Sequence, residues 1–422
     1  MTDESSASPA PPPDRWLTID LARPALERAV RRLARGAREV ELSAGTARDV
    51  DALHVLVADD RKPALTTGRL RLTLRRRDAD AGAADAAKRD PITCYIDDRG
   101  ELFTRHPEVA RIRVIGAGLH QTPPANSDAS NASNRWSRIA GALGATIHAR
   151  LRATRFAVVG CGRTGSLVAS TLARMGVADL TLIDPDGVEL HNLDAMDGVH
   201  YTDLGRTKVH ALADHLRLFA CGVPHPLPQA VTTSTAIAAL RATDFVCCCV
   251  DEAIARLATT ALATLFLKPL LDIGVGIRRT DGRLDRAADV RLILPGERRC
   301  LFCFGGIAER ERMLPLIGGE PAPADWRARR AGSLRSLNQI AAHLGVGMIE
   351  DLAAERLDHS QWLRLRYAGA LPGIEPLTAD PDPECPICAL AGNGDAGLLH
   401  FSTTMRAAVR RETRIHPPDR EG

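Results

Sequence analysis

Two residue patterns in this chain could do chemistry. The first is Gly160, Gly162 and Gly165, a G-x-G-x-x-G run placed directly after the apolar stretch Phe156–Val159. Glycines at these positions allow a tight turn and close approach of backbone N–H groups to a phosphate. They also open a helix whose N-terminus favours an anion. Asp184, about twenty residues further on, lies where a carboxylate meets the ribose of a bound nucleotide. Arg163 inside the loop is unusual for a dinucleotide site, where small residues admit the pyrophosphate. Its guanidinium predicts a fork donor to a phosphate instead. The second pattern is Cys300, Cys303, Cys385 and Cys388, two Cys-x-x-Cys pairs. Each pair can present two thiolates, and two pairs close a tetrahedron. A four-sulfur shell leaves no position for water, so the pattern predicts a structural zinc and not a catalytic one. His191, His210, His215 and His225 lack the mutual spacing of a metal site.

An alternation of strands and helices must position these groups. Phe156–Val159 and Leu180–Ile183 read as buried parallel strands flanking a helix over Ser166–Met175 that Gly176 closes. Helices are expected over Val209–Phe219 and Ile254–Phe266, and strands over Phe245–Val250 and Pro269–Ile273. Arg278–Leu294 reads as a strand pair turned at Asp281-Gly282. The three cysteines Cys247, Cys248 and Cys249 fit a strand buried on both faces. The period is that of an α/β doubly wound, Rossmann-like sheet.

The N-terminal part has a different texture. Residues 1–15 read as a disordered leader and 16–119 as a smaller α+β domain. In that domain Leu26, Val30 and Leu33 have helical spacing, and Val40–Ser43, Leu53–Val57 and Arg69–Leu74 have strand character. Its lone Cys94 reads as a buried hydrophobe. Residues 120–134 form a polar, proline-led linker, 135–395 the main domain and 396–422 a tail. Across the 422 residues hydrophobic side chains make up 45%, enough for a real core, and the net charge of +3 argues for neither nucleic acid nor membrane as partner. With no export signal and no membrane-length apolar run, the ten cysteines favour thiols and metal over disulfides, and a cytoplasmic location.

The combination resembles the activating-enzyme family of ubiquitin-like and sulfur-carrier proteins, which includes the adenylyltransferases of molybdopterin and thiamin synthesis. The resemblance runs from about Arg135 to Leu390. Arg135-Trp136-Ser137-Arg138 is similar to the family's leading Arg-aromatic-x-Arg, and implies that Arg138 reaches the ATP phosphates of a partner subunit, hence a dimer. Asp184-Pro185-Asp186-Gly187-Val188 with Asn192-Leu193 is similar to the D-x-D-x-V…N-L stretch. That likeness gives Asp184 to the ribose and places Asp186 and Asn192 beside the nucleotide. Gly205-Arg206-Thr207-Lys208 resembles a G-x-x-K whose lysine contacts phosphate, so Lys208 inherits that role. Asp251 sits where the family has a magnesium-associated aspartate, Arg256 also fits, and the cysteine pairs match the family's zinc site.

The resemblance implies a ThiF-type adenylation fold. It implies ATP, magnesium and structural zinc as cofactors, and a small ubiquitin-like or sulfur-carrier protein ending in glycine as partner. A conjugating-enzyme-like protein is a further candidate partner, in a bacterial ubiquitin-like conjugation pathway of the antiphage kind. Gly305–Pro323 would cross over the partner's tail. The chain departs from the family pattern in three ways: Ala195 replaces the arginine of N-L-x-R, Arg163 replaces a loop glycine, and no cysteine lies between Cys303 and Cys385. Arg163 is expected to take over the missing phosphate contact. The competing readings are sulfur-carrier activation, an activating-enzyme-like scaffold without catalysis, and an NAD-dependent oxidoreductase. The oxidoreductase reading leaves Lys208, Asp251 and the cysteine pairs without a role.

Overall fold

The computed structural model describes residues 17–35, 37, 39–48, 53–57, 71–76, 92–96, 102–104, 109–116, 134–280, 283–307, 333–368 and 371–398. The expected leader, the linker up to residue 133, the Asp281-Gly282 turn, the crossover segment beyond Ile307 and the tail beyond residue 398 lie outside them.

The first segment alternates β1 (Leu17–Ala22), α1 (Arg23–Ala34), β2 (Glu39–Ser43), β3 (Gly45–Arg48), β4 (Leu53–Val57), β5 (Arg71–Arg76), β6 (Ile92–Ile96), β7 (Leu102–Thr104) and β8 (Val109–Ile115). Its strands form two four-stranded sheets, ordered β3-β4-β1-β8 and β2-β5-β6-β7. Helix α1 starts on Pro24, whose fixed φ suits a first turn. It buries Ala25, Ala29 and Leu33, spaced i, i+4, i+8, against Ile19, Leu21, Val40, Leu42, Val55 and Val57. Cys94 is buried in this core, which pushes its thiol up to about 12, so it behaves as a small hydrophobe.

This segment is fastened to the rest of the chain by charge and by packing. The Arg113 guanidinium donates to both oxygens of Asp20, at 2.5 and 2.8 Å, and also to Asp244 at 2.8 Å. Asp244 in turn accepts from Arg155, at the foot of the large sheet. Ala22, Ala47 and Leu56 share a hydrophobic cluster with the two cysteine pairs, and Thr46 bridges in parallel to Gly394. Gly394 holds φ +55°, and a Cβ there would lie 2.2 Å from the Thr46 carbonyl oxygen, so only glycine fits. Replacing Asp20 with alanine removes the bidentate partner of the buried Arg113 and leaves it the single bond to Asp244. The substitution should cost about 2–3 kcal/mol, read as a lower denaturant midpoint at unchanged slope.

The main body continues through α2 (Ser137–Leu143), α3 (Ala145–Ala153), β9 (Arg155–Val159), α4 (Gly165–Arg174), β10 (Asp179–Ile183), α5 (Lys208–Arg217), β11 (His225–Leu227), α6 (Ser234–Ala242), β12 (Phe245–Cys248) and α7 (Ala253–Leu265). It closes with β13 (Leu270–Thr280), β14 (Arg283–Ile293), α8 (Arg335–Ala353), β15 (Gln361–Ala368) and β16 (Leu371–Leu377). The sheet runs β11-β10-β9-β12-β13-β14-β15-β16. The five strands β11 to β13 pair in parallel, while β14, β15 and β16 continue antiparallel. The sheet is therefore mixed, a correction to the doubly wound reading: only its first five strands follow that pattern. A second correction merges two expected elements. Pro269–Ile273 and the first arm of the hairpin are one continuous strand, β13, paired along its whole length with β14.

Helices cover both faces of the parallel part. Helices α4, α5 and α8 contribute to one hydrophobic cluster, and α6 and α7 to another on the opposite side. Strand β12 divides its residues between them, with Phe245 and Cys247 in the first and Val246 and Cys248 in the second. That accounts for the run of cysteines: each face accepts a small apolar side chain. Burial raises the Cys247 thiol and pushes Cys248 up to about 12, so neither is a nucleophile.

Candidate active site

Strand β9 has β10 on one side and β12 on the other, so the connections leaving it diverge and open a crevice beyond its C-terminal end. The glycine loop fills that position. Gly160 turns at φ +84°, and a Cβ there would meet Val250 at 2.8 Å and the Cys249 backbone at 2.9 Å. A Cβ on Gly165 would fall 1.8 Å from the Gly160 carbonyl oxygen. These two glycines are required by the chain's own packing. Gly162 is different: a Cβ there would meet nothing within 4 Å. Its open side lies one turn before α4, where free N–H groups and the helix dipole favour a phosphate.

Asp184 ends β10 and is buried. One carboxylate oxygen accepts the Cys161 N–H at 2.7 Å, and the other accepts the Asp186 N–H at 2.9 Å. It therefore ties the glycine loop to the next strand. Burial raises its pKa against the pull of Lys208 and of those two N–H groups. Lys208 begins α5. Its backbone N–H donates to the Asp186 carbonyl and its ammonium reaches the Asp186 carboxylate at 2.8 Å. Burial would lower the Lys208 pKa, but its hydrogen bond to Asp186 and the charges of Asp184, Asp186 and Asp251 raise it. Asp251 lies exposed just past β12. Asn192 is buried, and its side-chain oxygen caps the Glu189 N–H at 2.8 Å.

Arg163 does not hang free in solvent. It donates to the His191 carbonyl at 2.9 Å and pairs with Asp194 at 3.1 Å. Sequence reasoning missed Asp194, and also Arg335 at the start of α8, which donates to the Ala195 carbonyl at 2.8 Å and to Asp197 at 3.0 Å. Its distance along the chain hides it; the cue was Ala195, which left this segment without its expected cation. Arg138 is not brought to this cluster. It lies exposed on α2, whose leading Trp136 donates its indole N–H to the Arg174 carbonyl, at the opposite end of α4 from the glycine loop. Arg256, on α7, reaches the Val250 carbonyl and pairs with the buried Asp272, so it braces β12 against β13.

The sulfur atoms of Cys300, Cys303, Cys385 and Cys388 all lie within 4.8 Å of one another. Three of the separations are 3.8, 3.6 and 3.6 Å. A tetrahedral metal with bonds to sulfur of about 2.3 Å requires edges of about 3.8 Å, so the four residues fit a closed four-sulfur site. They could hold a metal without further movement.

A glycine loop where parallel strands diverge, a lysine paired with a carboxylate and a cluster of four thiols that could hold a metal together mark a Rossmann-like domain. Residues 136–345 match the model of the ThiF family, and the chain carries a ThiF family domain. The adenylyltransferase and sulfurtransferase MOCS3 of Bos taurus is 35% identical over 166 residues, 38% of this chain and 36% of that protein. The ubiquitin-like modifier-activating enzyme 5 of Drosophila grimshawi is 30% identical over 221 residues, 48% of this chain and 53% of that protein. The chain thus spans about a third to a half of these curated relatives. Among solved structures, E. coli MccB with ATP overlays with a TM-score of 0.47 at 19% identity, covering 63% of this chain and 76% of that one. Among the described residues no helix is long and apolar enough to cross a membrane.

Proposed function

We propose that the chain is an ATP-dependent adenylyltransferase that activates the C-terminal glycine carboxylate of a small ubiquitin-like protein. The observation that carries this reading is that Asp184 ties the glycine loop to Asp186, which in turn holds Lys208 through both its backbone N–H and its ammonium. A dehydrogenase needs neither the lysine nor Asp251. The relatives named adenylyltransferase and modifier-activating enzyme support the same class.

In this reading an oxygen of the glycine carboxylate attacks the α-phosphorus of ATP in line. The bond from that phosphorus to the bridging oxygen breaks, and pyrophosphate leaves with the electron pair. A carboxylate needs no general base, so the protein's work is alignment and charge neutralisation. Lys208 and Arg163 draw charge from the phosphates on the chain's own side, Asp184 faces the ribose, Asp186 holds Lys208 beside the nucleotide, and Asn192 shapes the loop between them. Arg138, on α2 by the Arg174 end of α4, would be supplied by a second copy in a homodimer. Asp251 would hold magnesium, which when bound would neutralise charge between the phosphates. Zinc on Cys300, Cys303, Cys385 and Cys388 is structural.

No cysteine lies between the two pairs to accept the acyl group, so in this reading either the reaction stops at the acyl-adenylate or a cysteine elsewhere, the exposed Cys221 before the buried Cys94, is used. A bacterial ubiquitin-like conjugation pathway is the proposed setting, with sulfur-carrier activation as the alternative that shares this chemistry.

ATP–pyrophosphate exchange driven by a small protein ending in Gly-Gly tests the reading, with the same protein lacking its last glycine as control. Exchange with the first and none with the second is expected. Exchange that ignores the C-terminus, or tight NAD binding without ATP binding, overturns it. Arg163→Ala should lower exchange by about 10²-fold, the scale of one lost transition-state donor. Activity near wild type would remove Arg163 from the phosphate site.

A further inference from the structure

The short stretch from Asn192 to Asp197 has little regular structure of its own, yet it is gripped from both ends by guanidinium groups. Arg163, from the glycine loop, holds the His191 carbonyl and Asp194. Arg335 holds the Ala195 carbonyl with one nitrogen and the Asp197 carboxylate with another. Two further ties press the stretch against its neighbours. The Asp197 N–H donates to the Ser166 hydroxyl, one residue inside α4, at 2.9 Å. Gly198 follows at φ +74°, where a Cβ would lie 2.4 Å from the His215 ring of α5.

We propose that Arg335 is a positioning residue for the phosphate site: by fixing Ala195 and Asp197 it sets the Asn192–Asp197 stretch, and through that stretch aims Arg163. The inference rests on the adenylation reading. Its main physical support is where Arg335 stands. It is the first residue of α8. A cation in a first turn runs against the helix dipole, so the helix itself gains nothing from it. Its planar fork instead matches two acceptors two residues apart on a segment 138–140 positions away in sequence. Alanine at 195 offers no side chain that could anchor the stretch in its place. Any loosening here passes directly to Asp194, and so to the Arg163 guanidinium.

The test is calorimetric binding of magnesium-ATP and of adenosine, which lacks phosphates, to the full chain. It compares wild type, Arg335→Ala, Arg335→Lys, Arg163→Ala and the double variant Arg163→Ala/Arg335→Ala. Arg335→Ala should weaken ATP by roughly five- to thirty-fold, the scale of charge-assisted bonds lost at one remove, and leave adenosine within about two-fold. Arg335→Lys, which can reach only one acceptor, should fall between wild type and Arg335→Ala. It carries the test if the alanine variant does not fold. The double variant should be no weaker than Arg163→Ala alone, because both act through one contact. Losses that add in the double variant, or an equal weakening of adenosine, would overturn the proposal. ATP binding that is sensitive to Arg163 but indifferent to Arg335 would overturn this inference alone. No ATP binding by the wild type would remove the adenylation reading and this inference with it.

Discussion

Stripping the metal from the purified protein should lower its melting temperature by roughly 5–10 °C. That figure corresponds to about 5 kcal/mol lost from a chain of 422 residues, at about 1–2 °C per kcal/mol. The loss is large because the thiol cluster is not a peripheral ornament. Cys300 and Cys385 are buried and belong to the same hydrophobic cluster as α7 and the N-terminal Ala22, Ala47 and Leu56. Just beyond the second pair, Gly394 bridges to Thr46. Without a cation, four sulfurs this close cannot all ionise, and the two segments they join lose their common anchor. Scanning fluorimetry with and without a thiol-competing chelator, alongside metal analysis, checks the prediction. A metal-free protein that melts where the loaded one does would show that the cluster does not support the fold.

The second large effect concerns Arg138. Helix α4 rises about 1.5 Å per residue, so its Arg174 end stands well over 10 Å from the glycine loop at its start. Trp136 fixes α2 at that far end through the Arg174 carbonyl and through contact with Gly176, where a Cβ would come within 3.0 Å of the indole. In the proposed dimer an arginine from that end serves the partner's phosphates. Arg138→Ala and Lys208→Ala should each lower pyrophosphate exchange by about 10²–10³-fold. Mixed in equal amounts and allowed to exchange subunits, the two inactive variants should recover about a quarter of wild-type activity. In a two-fold dimer half the molecules are then mixed, and each mixed molecule keeps one intact site. A mixture as inactive as its components would refute the arrangement in trans.

The glycine loop and the cysteine pairs were legible because each is a local pattern with a fixed spacing, and the parallel strands because β12 and β9 are continuous apolar runs. The antiparallel extension was not. Strand β16 carries Pro372, Gly373 and Pro376, residues that argue against a strand anywhere but at an edge, which is where it lies. Helix α8 was hidden by Gly345 and Gly347, which weaken a helical signal. Gly345 is there for packing: a Cβ would press Ile273 and Leu271 of β13 at 3.0 Å. The Asp194 and Arg335 contacts depend on tertiary placement, which no spacing rule reports. Arg138 was read from its motif alone; that α2 begins at the end of α4 away from the glycine loop could be seen only once Trp136 was placed there.

Both cations proposed for phosphate are already paired, Lys208 with Asp186 and Arg163 with Asp194, and each of these carboxylates is 63% exposed. On the proposed reading, nucleotide binding at this crevice is an exchange of anions and not the filling of an electropositive hole. The incoming phosphates displace carboxylates that return to water at little cost, while the lysine and arginine are ordered beforehand. The net attraction is smaller than two bare cations would give, and it weakens less as salt is added. When pyrophosphate departs, the same carboxylates can close behind it, so the site is rid of its product without having to expose unpaired charge.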